Sequence, residues 1–126
     1  MRFLVKATIP VEAGNELVQD PQFGNRLERL LGDLKPEAAY FAIADGQRTM
    51  YLIVNVAEAF QTPAILEPLW LDFRADVEFV PVMTKADMAK ATPSIMQAAK
   101  KYGAAGGTSP AVTRQRRERE TASRSA

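Results

Sequence analysis

The sequence predicts an α+β fold in which one antiparallel sheet of four strands carries its helices on a single face. Three observations lead there. Phe3, Val5, Ala7 and Ile9 alternate with Arg2, Leu4, Lys6 and Thr8, the period-two pattern of a strand. Asp45-Gly46 stands between two β-rich runs, and both residues tolerate the positive φ that a tight hairpin turn requires. Apolar residues at helical spacing fill one stretch before that hairpin and another after it.

Taken in order, the first strand covers 2–9 and ends at Pro10. Val11 to Gln19 fits neither period clearly. Asp20-Pro21 reads as a helix cap followed by proline in the first turn, with Phe23, Leu27, Leu30, Leu31 and Leu34 on one stripe, so a helix is expected over 21–33. Gly32 and Pro36 are its expected terminators, since proline also disfavours helical geometry at Lys35. Residues 38–43 and 48–56 form the hairpin. Thr62 is placed to cap and Pro63 to open a second helix, whose apolar face is Ile65, Leu66, Leu69, Trp70 and Phe73; Pro68 predicts a bend or a shortened first turn. A fourth strand follows at 76–82, with a proline suited to a sheet edge. Thr84 and Asp87 resemble a capping box for a terminal helix that restarts at Thr92-Pro93 and runs to Tyr102.

The order β-α-β-β-α-β is the ferredoxin-like arrangement, and right-handed crossovers give the sheet order 4-1-3-2. Residues 1–102 thus make one domain with a terminal helix. From Gly103 large apolar residues almost vanish, so 103–126 reads as a disordered Gly-, Ala- and Arg-rich tail.

Composition narrows the chemistry. The 126 residues include no cysteine and no histidine, which excludes disulfides, thiolate zinc sites, cysteine nucleophiles and serine–histidine triads. The net charge of +1 conceals net −2 over 1–102 and net +3 over 103–126. The absence of a secretion signal or a membrane-length apolar run makes a cytoplasmic protein the expectation. No phosphate-binding glycine loop, calcium loop or facial triad of ligands occurs, so neither a cofactor nor a metal is expected. Two glutamates interrupt TRQRRERE and no aromatic residue follows it, which argues against nucleic acid.

Alternation also identifies the sheet face without helices: Leu4, Lys6, Thr8, Tyr40, Ala42, Thr49, Tyr51, Ile53, Asn55, Glu78, Val80 and Val82. That set is too apolar for a solvated face. Either a second copy packs on it around a two-fold axis, or the terminal helix folds across part of it; the homodimer is the economical expectation.

The succession MRFLVKATIP, LKPEAAYFA, the Gly-Gln-Arg turn, TPAILEP, VEFVPVM and TKADMAKA resembles small, functionally uncharacterised bacterial proteins of the dimeric α+β barrel superfamily, over about residues 1–91. The resemblance implies a dimer of ferredoxin-like subunits. Better-known members of that superfamily are muconolactone isomerases and cofactor-independent antibiotic-biosynthesis monooxygenases; the histidines several of them use have no counterpart here.

Candidate ligand-binding residues follow from the bare face. Lys6 and Glu78 should be cross-strand neighbours, placed either to exchange a proton with a substrate or simply to pair. Tyr40, Tyr51 and Asn55 share the face and serve either an aromatic ligand or a dimer interface. Trp70 is read as core, with proximity to a cavity as the alternative. Arg48, beside the hairpin, either clamps a carboxylate or is solvated. Three functions stay open: a homodimer binding a small apolar or aromatic molecule, a cofactor-independent isomerase or monooxygenase with a closed pocket of ~300 Å³ or more, and an interaction module acting through its tail.

Overall fold

The computed structural model describes residues 1–103. The expected disorder of the Arg-rich tail falls on residues 104–126, outside the described residues. Within them the chain forms two compact units, Met1–Val82 and a second beginning at Met83.

The first unit holds β1 (Arg2–Ile9), α1 (Val11–Gln19), α2 (Phe23–Leu34), β2 (Ala38–Ala44), β3 (Gln47–Asn55), a short 3₁₀ turn (Ala59–Gln61), α3 (Thr62–Leu71) and β4 (Asp76–Pro81). The strands form one antiparallel sheet in the order β2-β3-β1-β4, which read from the other edge is 4-1-3-2. This small α+β fold with its four-stranded antiparallel sheet is compatible with a ferredoxin-like arrangement. Val5, Ala7 and Ile9 of β1 and Met50, Leu52 and Val54 of β3 are buried, and they form one core with Ala13 and Leu17 of α1, Leu30 of α2, and Leu69 and Phe73 at α3. Phe3 and Phe79 stack across β1 and β4, with centroids 4.2 Å apart and planes at 5°.

Several local expectations are corrected. The stretch 11–19 is a helix: Pro10 precedes its first turn, and Ala13 and Leu17, one turn apart, are its buried residues with Gly14. Asp20 does order the approach to α2, since its Oδ1 accepts from the Gln22 N–H at 2.9 Å, but the helix starts at Phe23. Gly32 does not end it; the chain turns at Lys35, which takes the left-handed conformation at φ 45° and ψ 57° ahead of Pro36. Thr62 is not a cap: it is the first residue of α3, with Gln61 at the cap position, and the reciprocal capping box of Glu58 and Gln61 belongs to the preceding 3₁₀ turn. Pro68 is accommodated near the end of α3, three residues before its last residue. Trp70 is 43% exposed and is not core; Leu69 fills the inward position of that helix and Phe73, in the turn after it, is buried beside it. The Asp45-Gly46 turn forms as expected, with φ of 53° and 73° at its two residues.

The second unit consists, among the described residues, of α4 (Lys85–Tyr102). Its capping box is complete: the Asp87 N–H donates to Thr84 Oγ1 at 3.1 Å and the Thr84 N–H to Asp87 Oδ2 at 2.9 Å. Pro93 does not restart the helix, which runs through it unbroken. The Thr92 hydroxyl donates to the Met88 carbonyl at 2.9 Å.

Candidate functional site

The sheet has two chemically different faces, and each gathers a set of residues. On the face turned away from α1–α3, strand register aligns Glu78, Lys6, Tyr51 and Tyr40 in one row across all four strands, because Lys6 opposes both Glu78 and Tyr51 and Tyr51 opposes Tyr40. Val80, Leu4, Ile53 and Ala38 form the adjacent row. Tyr40 is 67% exposed, Lys6 and Tyr51 are half-buried, and Glu78 is exposed. Although Lys6 and Glu78 are register partners, they are not among the ion pairs of the described residues, which are Arg2–Glu37, Arg26–Asp20, Arg26–Asp72, Arg29–Asp72 and Arg74–Glu16. Asn55 lies at the end of β3, where its Oδ1 accepts from the chain's amino terminus at 2.9 Å. Trp70, on α3, does not belong to this row. Thr49, which alternation places on this face, is buried, and its hydroxyl donates to the Gln47 carbonyl at 3.0 Å.

The other face contains a cavity of about 470 Å³. Ile9 and Met50 of the sheet, Leu17 of α1, and Phe23 and Leu27 of α2 form its inner wall, while Phe41 and Ile43 of β2 line its rim. Phe41 opposes Met50 and Ile43 opposes Arg48, so both belong to the helix-side face, yet they are 56% and 82% exposed. The physical reason lies in the layer above them. Helices α1–α3 bury the central strands β1 and β3, and the edge strand β2 projects its large side chains past that cover. Among the described residues lining the cavity, Arg48 carries the only charge. None of Lys6, Tyr40, Tyr51, Asn55, Trp70 and Glu78 lines it.

Parity along β3 could have placed Arg48 on the helix side. Met50, Leu52 and Val54 are inward residues, so Arg48 two positions before Met50 must share their face, beside Ile9 and Ile43. The exposure of Phe41 and Ile43 had no comparable sequence signal, because it depends on how far the helix layer reaches.

A second cleft of about 210 Å³ lies among Glu16, Asp20, Arg26, Asp72 and Arg74. Here the charges are mutually satisfied. Arg26 reaches Asp20 Oδ2 at 2.8 Å and Asp72 Oδ1 at 2.9 Å, joining α2 to the end of α3, and its guanidinium lies 5.9 Å from the Phe73 ring centroid. The bond to Asp72, with a smaller contribution from Asp20, raises the Arg26 pKa, while hydrogen bonds from the Gln22 N–H and then Arg26 hold the Asp20 carboxyl below its ordinary value. This cluster was missed in the sequence, since its members are scattered over more than fifty residues. It is a structural clamp.

Among the described residues no group of three or more acidic side chains is arranged to hold a metal ion, and no helix is long and apolar enough to cross a membrane. No family model matches the chain, and no curated protein matches it at a significant level.

Proposed function

We propose that the protein binds a small apolar or aromatic molecule in the cavity between its helix layer and strands β2 and β3. The observation that carries this reading is the cavity itself: its volume of about 470 Å³ lies within the range of small-ligand sites, and aliphatic and aromatic side chains dominate its lining. Burying apolar ligand surface there is favourable by roughly 25 cal/mol per Å². The edge residues Phe41 and Ile43 gain most from an occupant, being the most exposed part of the wall.

The reading includes a homodimer formed through the opposite sheet face, where Tyr40 and Val80 are exposed beside Leu4 and Ile53. A cofactor-independent isomerase or monooxygenase is the alternative. It would require Lys6, Glu78 and the tyrosines to meet at a cavity, and in the single chain their row and the cavity lie on opposite sides of the sheet. That separation favours binding over proton-transfer catalysis.

Titration calorimetry with naphthylmethanol, a neutral aromatic probe, tests the binding site directly. The full-length chain should bind it saturably, and Val18→Trp should weaken binding about tenfold or more, because Val18 lines the cavity from a partly exposed position where a larger ring fills it. Circular dichroism checks that the variant stays folded. Undiminished binding by the folded variant would move the ligand elsewhere, and failure of the wild-type chain to bind would remove the reading.

A further inference from the structure

The helix-side cavity contains one residue that an apolar pocket does not need. Arg48 occupies a strand position whose parity and neighbours are those of the apolar face: it opposes Ile9 on β1 and Ile43 on β2, and both line the cavity with it. We propose that Arg48 receives the carboxylate of the bound molecule, so that the cavity takes apolar acids in preference to neutral or cationic molecules of the same shape. This inference rests on the small-molecule reading given above and names the ligand class.

Three independent features place the guanidinium for that role. The first is its close approach to α1. Gly14 lies inside α1, where glycine costs about 1 kcal/mol relative to alanine, and a Cβ built there would stand 2.6 Å from Arg48 Nη1 and 3.3 Å from its Cδ. A side chain at this position would require the arginine's flexible end to shift. The second is orientation, since Nη1 donates to Asn15 Oδ1 at 3.2 Å, holding one edge of the group against α1. The third is charge. Arg2, Arg26, Arg29 and Arg74 each pair with a carboxylate of the chain, whereas Arg48 alone among the arginines of the described residues has no acidic partner.

The ligand chemistry follows from what the guanidinium has left to offer. It carries five N–H donors in a planar fork, and the bond to Asn15 accounts for one. A carboxylate can take two of the others in parallel, with its apolar portion directed among Leu17, Phe23, Leu27 and Phe41. One cation matches a monoanion. The lining thus fits a medium-length alkyl acid or an aromatic acid.

The test is calorimetry on the full-length chain with octanoate, octanol and octylamine, which share a tail and differ at the head, alongside naphthylmethanol as the neutral probe of the cavity. Octanoate should bind about tenfold more tightly than octanol, with octylamine weakest. Raising the salt concentration should narrow the octanoate advantage. Arg48→Met should abolish the preference, bringing the octanoate and octanol affinities level. Gly14→Ala should reduce it by displacing the guanidinium, which provides a second measurement if the first variant folds poorly. Equal binding of octanoate and octanol by the wild-type chain, or a preference that survives in folded Arg48→Met, overturns the inference while leaving the cavity reading intact. Failure of both octanoate and naphthylmethanol to bind overturns both.

Discussion

Arg26 reaches two aspartates from different parts of the chain, and the ionisation of one of them, Asp20, links the first unit to pH. The Asp20 pKa is lowered chiefly by the Gln22 N–H and then by Arg26. A carboxyl whose folded pKa is depressed stabilises the fold fully above its unfolded pKa, and that contribution is lost as pH falls through the folded value, so the window is the acid limb below about pH 4. Asp20→Asn should therefore flatten the acid-unfolding curve of the full-length chain in that window, measured by circular dichroism against pH. Identical acid limbs would show that Asp20 is protonated alike in both states. Because its neighbourhood is solvent-accessible, the effect is expected to be modest.

The α2–β2 connection shows how an element can end without its usual residue. Lys35 holds φ at 45° with its N–H bonded to the Leu31 carbonyl at 2.9 Å, a left-handed helix end of the kind glycine ordinarily supplies. Lys35→Gly should raise unfolding free energy by roughly 0.5 to 1 kcal/mol, since the side chain's steric cost in that conformation is removed, and urea denaturation would measure it. The same junction shows what was legible in sequence. Pro36 announced a stop and the helix does stop within two residues of it, but Gly32, the more obvious signal, lies inside the helix. The hairpin was readable because Asp45-Gly46 is a local chemical requirement, and strand β1 because alternation survives burial of one face. Helix α1 was obscured by Gly14 and Asn15, two weak helix formers that lie beside Arg48. Trp70 misled for another reason: Leu69 and Trp70 are adjacent on a helix, and packing chose Leu69 for the interior.

At the scale of the whole molecule, the sheet separates two kinds of surface. The cavity could not be read from composition because it arises where β2 extends past the helices, while the row Tyr40, Tyr51, Lys6 and Glu78 was legible from strand parity and register alone. The proposed dimer uses that second surface. Light scattering of the full-length chain should give about twice its mass of 13.9 kDa, and Tyr40→Glu, at a position 67% exposed within the subunit, should return the mass to that of one chain without loss of helicity. A single-chain mass for the wild type would remove the interface.

The two borders of the sheet are unequal in a way that bears on how the protein behaves when concentrated. Strand β4 ends its hydrogen-bonding ladder with Asp76, Glu78 and Pro81, charges and an imino acid that discourage a foreign strand from adding there. Strand β2 reads AAYFAIA, seven residues without a charge or a proline. Such a segment at a sheet border offers unpaired backbone groups to which a further strand can add. A molecule seated over Phe41 and Ile43 would cover part of the apolar surface that this border presents.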